Sequence, residues 1–233
     1  MLPVGNIYVK EGYNQLVKTD ISKTTLKTKN GRRSGFPVRA RILVAAGDLF
    51  HKHGIRGVGV EAIAEAAQTN KMTLYRYFDS KDELITEWVR GIVAHKEEEW
   101  KDLAAKHRGD PEGQLQDWSR RTAAKLREME ERGSALMNTF AELPDPNHPA
   151  RRVLKEHKLR SYKRVLSLCK AAGFRDPAFS ADLFTMMLEG AHSCGQAAGM
   201  KQIGEHLVQV VDLMIDNSRR QRADAAPAAA GSQ

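Results

Sequence analysis

Between Lys71 and Tyr77 the chain runs KMTLYRY, which gathers cationic, hydroxyl-bearing and aromatic side chains within seven residues. Arg76 carries a planar fork that can donate two hydrogen bonds to one guanine, and Thr73 and Met72 can meet a thymine methyl. The hydroxyls of Tyr75 and Tyr77, and the ammonium of Lys81 just beyond, suit phosphate oxygens. On a helix, Lys71, Met72, Thr73, Tyr75, Arg76 and Tyr77 fall on an outward arc, leaving Leu74 and Phe78, four apart, for the inside.

Such an arc is useful only if something presents it. The stretch IAEAAQTNKMTLYRYF, Ile63 to Phe78, predicts two short helices joined by a tight turn. Ile63, Ala64 and Ala67 would face Leu74 and Phe78, with Ala64 small enough for a close crossing. That is the pattern of a helix-turn-helix, whose second helix enters a DNA major groove. Asn70 is placed to cap that helix by accepting the N–H of Met72 or Thr73. Upstream, a helix is expected from about Pro37 to Lys52, with Gly54 as a left-handed stop. Downstream, Ser80-Lys81-Asp82-Glu83 reads as a capping box opening a long helix to about Lys106, with Leu84, Ile85, Trp88, Ile92 and Leu103 as its buried stripe and HKEEEWK, from His95, as an exposed charged stretch.

Charge agrees with an anionic polymer partner. Of the formal net charge of +8, residues 1–78 hold 13 Lys and Arg against 5 Asp and Glu, while residues 79–233 hold 24 against 24. The excess lies on and before the reading helix. Residues 1–37 are expected to form a flexible basic arm whose end, including Arg32 and Arg33, runs along phosphates or enters a minor groove. No run of 18 apolar residues occurs and the first thirty residues lack an apolar core, so neither a membrane span nor a secretory signal is expected. Two cysteines, Cys169 and Cys194, suit a reduced cytoplasm, each as a small buried side chain.

The remainder is punctuated as helices throughout: Asp110-Pro111 to Gly133, Ser134 to Leu143, Pro149 to Gly173, Asp176-Pro177 to about Gly199, and Lys201 to about Arg222. A tail at 223–233 is expected to be disordered. The fold class is therefore all-α: a DNA-binding head at 38–83 followed by a helical domain at 84–222. Phe179 to Ala198 is apolar over much of its circumference, and the last helix carries Ile203, Leu207, Val210, Val211 and Met214 at three- and four-residue steps. Those two helices are expected to pair with their copies in a homodimer. Trp88, Trp118, Phe140, Tyr162, Phe184, Met187 and His192 are candidates to line a pocket for a small-molecule effector.

Other chemistries are not supported. Gly57-Val58-Gly59-Val60-Glu61-Ala62 fits a dinucleotide fingerprint in letters only, because no strand precedes it. His51 and His53 lack acidic or thiol partners nearby and are expected to be solvated loop residues, so no metal is expected. There is no nucleophile elbow, phosphate loop or zinc-protease motif; neither an enzyme nor a cofactor is expected.

Arg39 to Glu87, containing RILVAAGDLFHKHGIRGVGVEAIAEAAQTNKMTLYRYFDSKDELI, resembles the DNA-binding domain of TetR-family transcriptional regulators. The densest matches are Ile63-Ala64, Ala67, Thr73-Leu74-Tyr75, Phe78 and Ser80-Lys81. The resemblance implies base-edge contacts for Lys71, Met72, Thr73 and Arg76, and phosphate contacts for Tyr75, Tyr77 and Lys81. It implies a repressor that leaves a near-palindromic operator when an effector binds. The alternative is a DNA-binding adaptor or architectural protein with no small-molecule ligand. Three departures stand out. Val58-Gly59-Val60 offers no hydroxyl where many members have one, Gln68 replaces the turn glycine, and Met72 replaces a small residue.

Overall fold

The structure is a computed structural model that describes residues 37–128, 134–196 and 202–225. Among these residues there are nine helices and no strand: α1 Val38–His53, α2 Val60–Ala66, α3 Lys71–Tyr77, α4 Lys81–Lys106, α5 Pro111–Glu128, α6 Ala135–Glu142, α7 Pro149–Ala171, α8 Pro177–Gln196 and α9 Ile203–Ala225. The protein is all-α. The basic arm with Arg32 and Arg33, the expected helix ends at Gly133 and Gly199, the start at Lys201 and most of the C-terminal tail lie outside the described residues.

The chain forms two compact units. One gathers the residues through Glu99 with Ser134–His157; the other gathers Trp100–Gly133 with the chain from Lys158 onward. In the first, α1 lays Ile42, Ala46 and Phe50 against Ile63, Ala64 and Ala67 of α2 and its turn, and against Leu74 and Phe78. Leu84, Ile85, Trp88 and Val89 of α4 complete this core, with Leu136 and Leu143 from the α6 segment and Ala150 and Leu154 of α7.

Local signals explain the boundaries. Pro37 is the residue before α1 rather than its first turn, and its carbonyl accepts the N–H of Arg41 at 3.1 Å. Gly54 ends α1 at φ 77° and ψ 158°, a positive-φ stop with ψ extended instead of the left-handed helical value expected for it. Ser80 caps α4 by accepting the N–H of Glu83 at 3.1 Å, and the Glu83 carboxylate reaches back to the N–H of Asp79. Two further expectations need correction. His51 is buried in the last turn of α1, 8% exposed, because that turn faces the core. His95 to Trp100 is half-buried, since His95 pairs with Glu99 and Glu97 with His157. Pairing with neighbouring groups draws this charged stretch in from solvent.

The second unit is built on α5, α8 and α9 with the ends of α4 and α7. Trp118 lies edge-on to Phe184 at 6.3 Å and stacks with Trp100 at 6.0 Å, while Phe174 meets Phe184 at 6.0 Å. Leu207, Val211 and Ile215 form the buried side of α9. A side chain on Gly204 would meet the Ala123 backbone at 3.1 Å, so the close crossing of α9 on α5 requires glycine there. Two ionic clusters pin the unit. Asp117 accepts from His107 at 2.8 Å, Lys106 at 2.9 Å and Arg121 at 3.3 Å. Burial works to raise its pKa, but these donors outweigh burial and hold it well below the ordinary carboxylate range. Glu112, in the first turn of α5, accepts from Arg219 and Arg222 at 2.6 Å each. Cys169 is buried, and burial pushes its thiol up to about 12, which leaves it unreactive at neutral pH.

Candidate nucleic-acid interface

The turn before α3 explains how a seven-residue helix is held out from the surface. After α2, the N–H of Thr69 donates to the carbonyl of Ala64 and that of Gln68 to Glu65, both at 2.9 Å. This pair of bonds is a Schellman motif, which puts its C′ residue in the left-handed region. Gln68 occupies that position at φ 52°, the one non-glycine with positive φ among the described residues. Arg41 of α1 braces the turn by donating from Nε to the Ala67 carbonyl at 3.1 Å. Asn70 then caps α3, its side-chain oxygen accepting the N–H of Thr73 at 2.8 Å. Gly59 gives α2 no side-chain cap, the consequence of the missing hydroxyl there.

Leu74 and Phe78 are buried at 0% and 1%. The remaining side chains of α3 form an outward arc: Met72 is 82% exposed, Tyr75 and Tyr77 about two-fifths, Lys71 and Arg76 are exposed, and Thr73 is half-buried. Several already have partners. Lys71 Nζ pairs with Glu61 of α2 at 2.6 Å, a hydrogen bond that lowers the Glu61 pKa and raises that of Lys71. The Arg76 guanidinium lies over the Tyr77 ring at 5.6 Å. Lys81 Nζ donates to the carbonyl of Ile55 at 2.7 Å, and burial lowers its pKa. An ammonium has two further hydrogens, so this bond does not exhaust Lys81 as a donor.

Sequence reading missed one anchor of this head. The carboxylate of Glu142, at the end of α6, accepts the N–H of Ile55 at 2.6 Å and of Arg56 at 3.2 Å. A side chain at Gly54 would come within 2.8 Å of that carboxylate. Glu142 and Lys81 thus hold the α1–α2 loop from its N–H groups and from a carbonyl. An 87-residue separation carries no periodicity or cap motif, so nothing local signals the contact.

The seven proposed pocket residues do not fall in one place. Trp88 belongs to the head core, edge-on to Phe50 at 5.3 Å, and Phe140 packs beside that core under the Arg151 guanidinium at 4.1 Å. Trp118 and Phe184 lie in the core of the second unit, with Tyr162 and Met187 packed against it. The Tyr162 hydroxyl bonds to Asp182, which raises its pKa. His192 bonds through Nδ1 to the Leu188 carbonyl of its own helix at 2.9 Å. Among the described residues no group of three or more His, Cys, Asp or Glu is arranged to hold a metal. No described helix is long and apolar enough to cross a membrane.

Fold and site together define an all-helical protein with a helix-turn-helix head. Residues 42–87 match the family model of bacterial regulatory proteins of the tetR family. An uncharacterized helix-turn-helix-type transcriptional regulator of Mycobacterium tuberculosis is 47% identical over 49 residues, 21% of this chain; the match spans 24% of that relative's length. Over the whole fold, the crystal structure of a TetR-family transcriptional regulator from Streptomyces coelicolor aligns with a TM-score of 0.73 and 27% identity, covering 78% of this chain and 95% of that one. A transcriptional regulator from Streptomyces avermitilis aligns at 0.63 and 26%, covering 78% and 98%. Residues 42–87 thus carry the DNA-binding domain of the tetR family, and the fold is similar to those of TetR-family transcriptional regulators.

Proposed function

We propose that the protein is a sequence-specific DNA-binding regulator, a repressor that holds a near-palindromic operator as a homodimer and leaves it when a small-molecule effector binds. The observation that carries this reading is the outward arc of α3, rigidly backed by Leu74 and Phe78. Lys71, Met72, Thr73 and Arg76 read base edges, while Tyr75, Tyr77 and Lys81 hold phosphates, with Arg32 and Arg33 of the arm alongside. Residues 38–83 form the reading head, and 84–222 bind effector and dimerise.

Dimerisation is supported by apolar side chains turned out of the second unit. Phe179 and Met186 of α8 are each 59% exposed, and Leu213 of α9 is 65% exposed beside Val210. A twofold four-helix contact would bury them and set two heads one DNA turn, about 34–36 Å, apart. An effector changes that separation, and only one spacing fits both half-sites. The effector site is best sought around Trp118, Tyr162, Phe184, Met187 and His192, which share the second unit. Trp88 and Phe140 form a different cluster.

Selection of duplexes from a random pool tests the reading. The expected result is enrichment of a near-palindrome with two half-sites; a pool that emerges unenriched would overturn it. Screening small molecules for thermal stabilisation then separates a ligand-released repressor from an adaptor without a ligand.

A further inference from the structure

Gln68 stands where local physics prefers another residue. The turn after α2 puts its C′ position in the left-handed region, which glycine adopts freely. Asn and Asp offset the cost there with a short side-chain bond to nearby backbone. Glutamine does neither, yet Gln68 sits at φ 52°.

Nothing described in the head compensates for this strain. Gln68 is exposed, so its side chain is not packed into the core. Its backbone is already employed: the N–H donates to the Glu65 carbonyl at 2.9 Å, and the carbonyl accepts from Arg41 Nη2 at 3.4 Å. Glycine would make both of these bonds equally well. Among the described residues the Gln68 carboxamide makes no hydrogen bond. Backbone strain that the fold itself does not repay clusters at sites that hold a ligand.

The place of the turn says which ligand. A recognition helix enters the groove by its N-terminal end, while the helix before it crosses the sugar-phosphate backbone. The turn joining α2 to α3 therefore passes from the backbone side to the groove side, within the same compact unit as α3. Gln68 precedes Lys71 by three residues, a span of at most about 11 Å, and its side chain adds to that reach.

We propose that the Gln68 carboxamide donates a hydrogen bond to a phosphate oxygen at the edge of the groove that α3 enters, an inference that rests on the DNA-binding reading of α3. Glutamine is among the side chains that serve phosphate oxygens, and its amide nitrogen carries two hydrogens. Asparagine would suit the backbone better but is one methylene shorter, and glycine has no donor to offer. The contact fixes the position of the head without reading sequence.

The test sets stability against binding in the full-length protein. Wild type, Q68G, Q68K and Q68E are compared by denaturant unfolding, and by affinity for the selected operator and for a random duplex across a salt series. Q68K and Q68E are matched by Q202K and Q202E, the same charge changes at an exposed glutamine of the second unit. Q68G is expected to unfold at higher denaturant and yet to bind both duplexes about three- to tenfold more weakly. Its slope of log affinity against log salt should stay that of the wild type, because a neutral donor displaces no counterion. Q68K should tighten binding and steepen the slope by up to about 0.9 per subunit, Q68E should weaken binding, and the two Gln202 variants should not separate. A purely structural role would move stability and affinity together. Wild-type affinity in Q68G, a lowered unfolding midpoint, or equal separation at Gln68 and Gln202 would each overturn the proposal. So would a loss confined to the operator, which would make Gln68 a base contact. If the wild type binds neither duplex in dilute salt, the DNA-binding reading itself fails and this inference falls with it.

Discussion

At Gln68 the backbone takes a left-handed conformation that costs an L-residue roughly 1–2 kcal/mol, because the two bonds closing α2 leave the C′ position no other choice. Gln68→Gly should therefore raise stability by about 0.5–1 kcal/mol, measured by denaturant unfolding; a loss of stability would mean the side chain contributes more than the strain removes. Lys71 and Glu61 make the opposite kind of compromise, since each neutralises a charge the DNA interface would feel. Glu61→Gln should tighten operator binding by freeing Lys71 and removing a repelling carboxylate, and weaker binding would contradict that. Arg76→Ala should cost about 1–3 kcal/mol of operator affinity and relax base preference at one position in each half-site. Equal weakening on all duplexes would make Arg76 a backbone contact.

Among the helices, what was legible in the sequence was what is decided locally. Asn70 and Ser80 reveal the starts of α3 and α4 because a cap acts within one turn. Ile63, Ala64, Leu74 and Phe78 reveal the helix-turn-helix because their spacing leaves one way to bury them. Contacts between distant segments were not legible. Periodicity marks Trp88 and Phe140 as buried without saying in which core, and no motif links Glu142 to Ile55. A charge sum over residues 79–233 averages away α7, which carries eight Lys and Arg against one acid. The Glu142 anchor predicts that Glu142→Ala costs about 1–3 kcal/mol, because two backbone N–H groups lose a charged acceptor. Unchanged stability would show that water replaces it. The Asp117 cluster gives a pH dependence of definite sign. Its carboxyl is depressed in the fold, so its contribution is complete above the unfolded-state value near 3.9 and is lost as pH falls further. Asp117→Asn should remove that acid-side loss.

For the molecule as a whole, reading a near-palindromic operator requires two heads acting together. Exposed Leu213 and Val210 on α9, with Phe179 and Met186 on α8, are the surface proposed to join two copies. Val210→Asp with Leu213→Asp should shift sedimentation to the monomer and weaken operator binding; a persisting dimer would place the interface elsewhere. The most direct measurement is binding of the selected operator beside a duplex with about five base pairs inserted between its half-sites, half a helical turn. If paired α3 helices read successive major grooves, the insertion turns one half-site to the far side and affinity falls to that of a single half-site. Equal affinity for both duplexes would contradict the account.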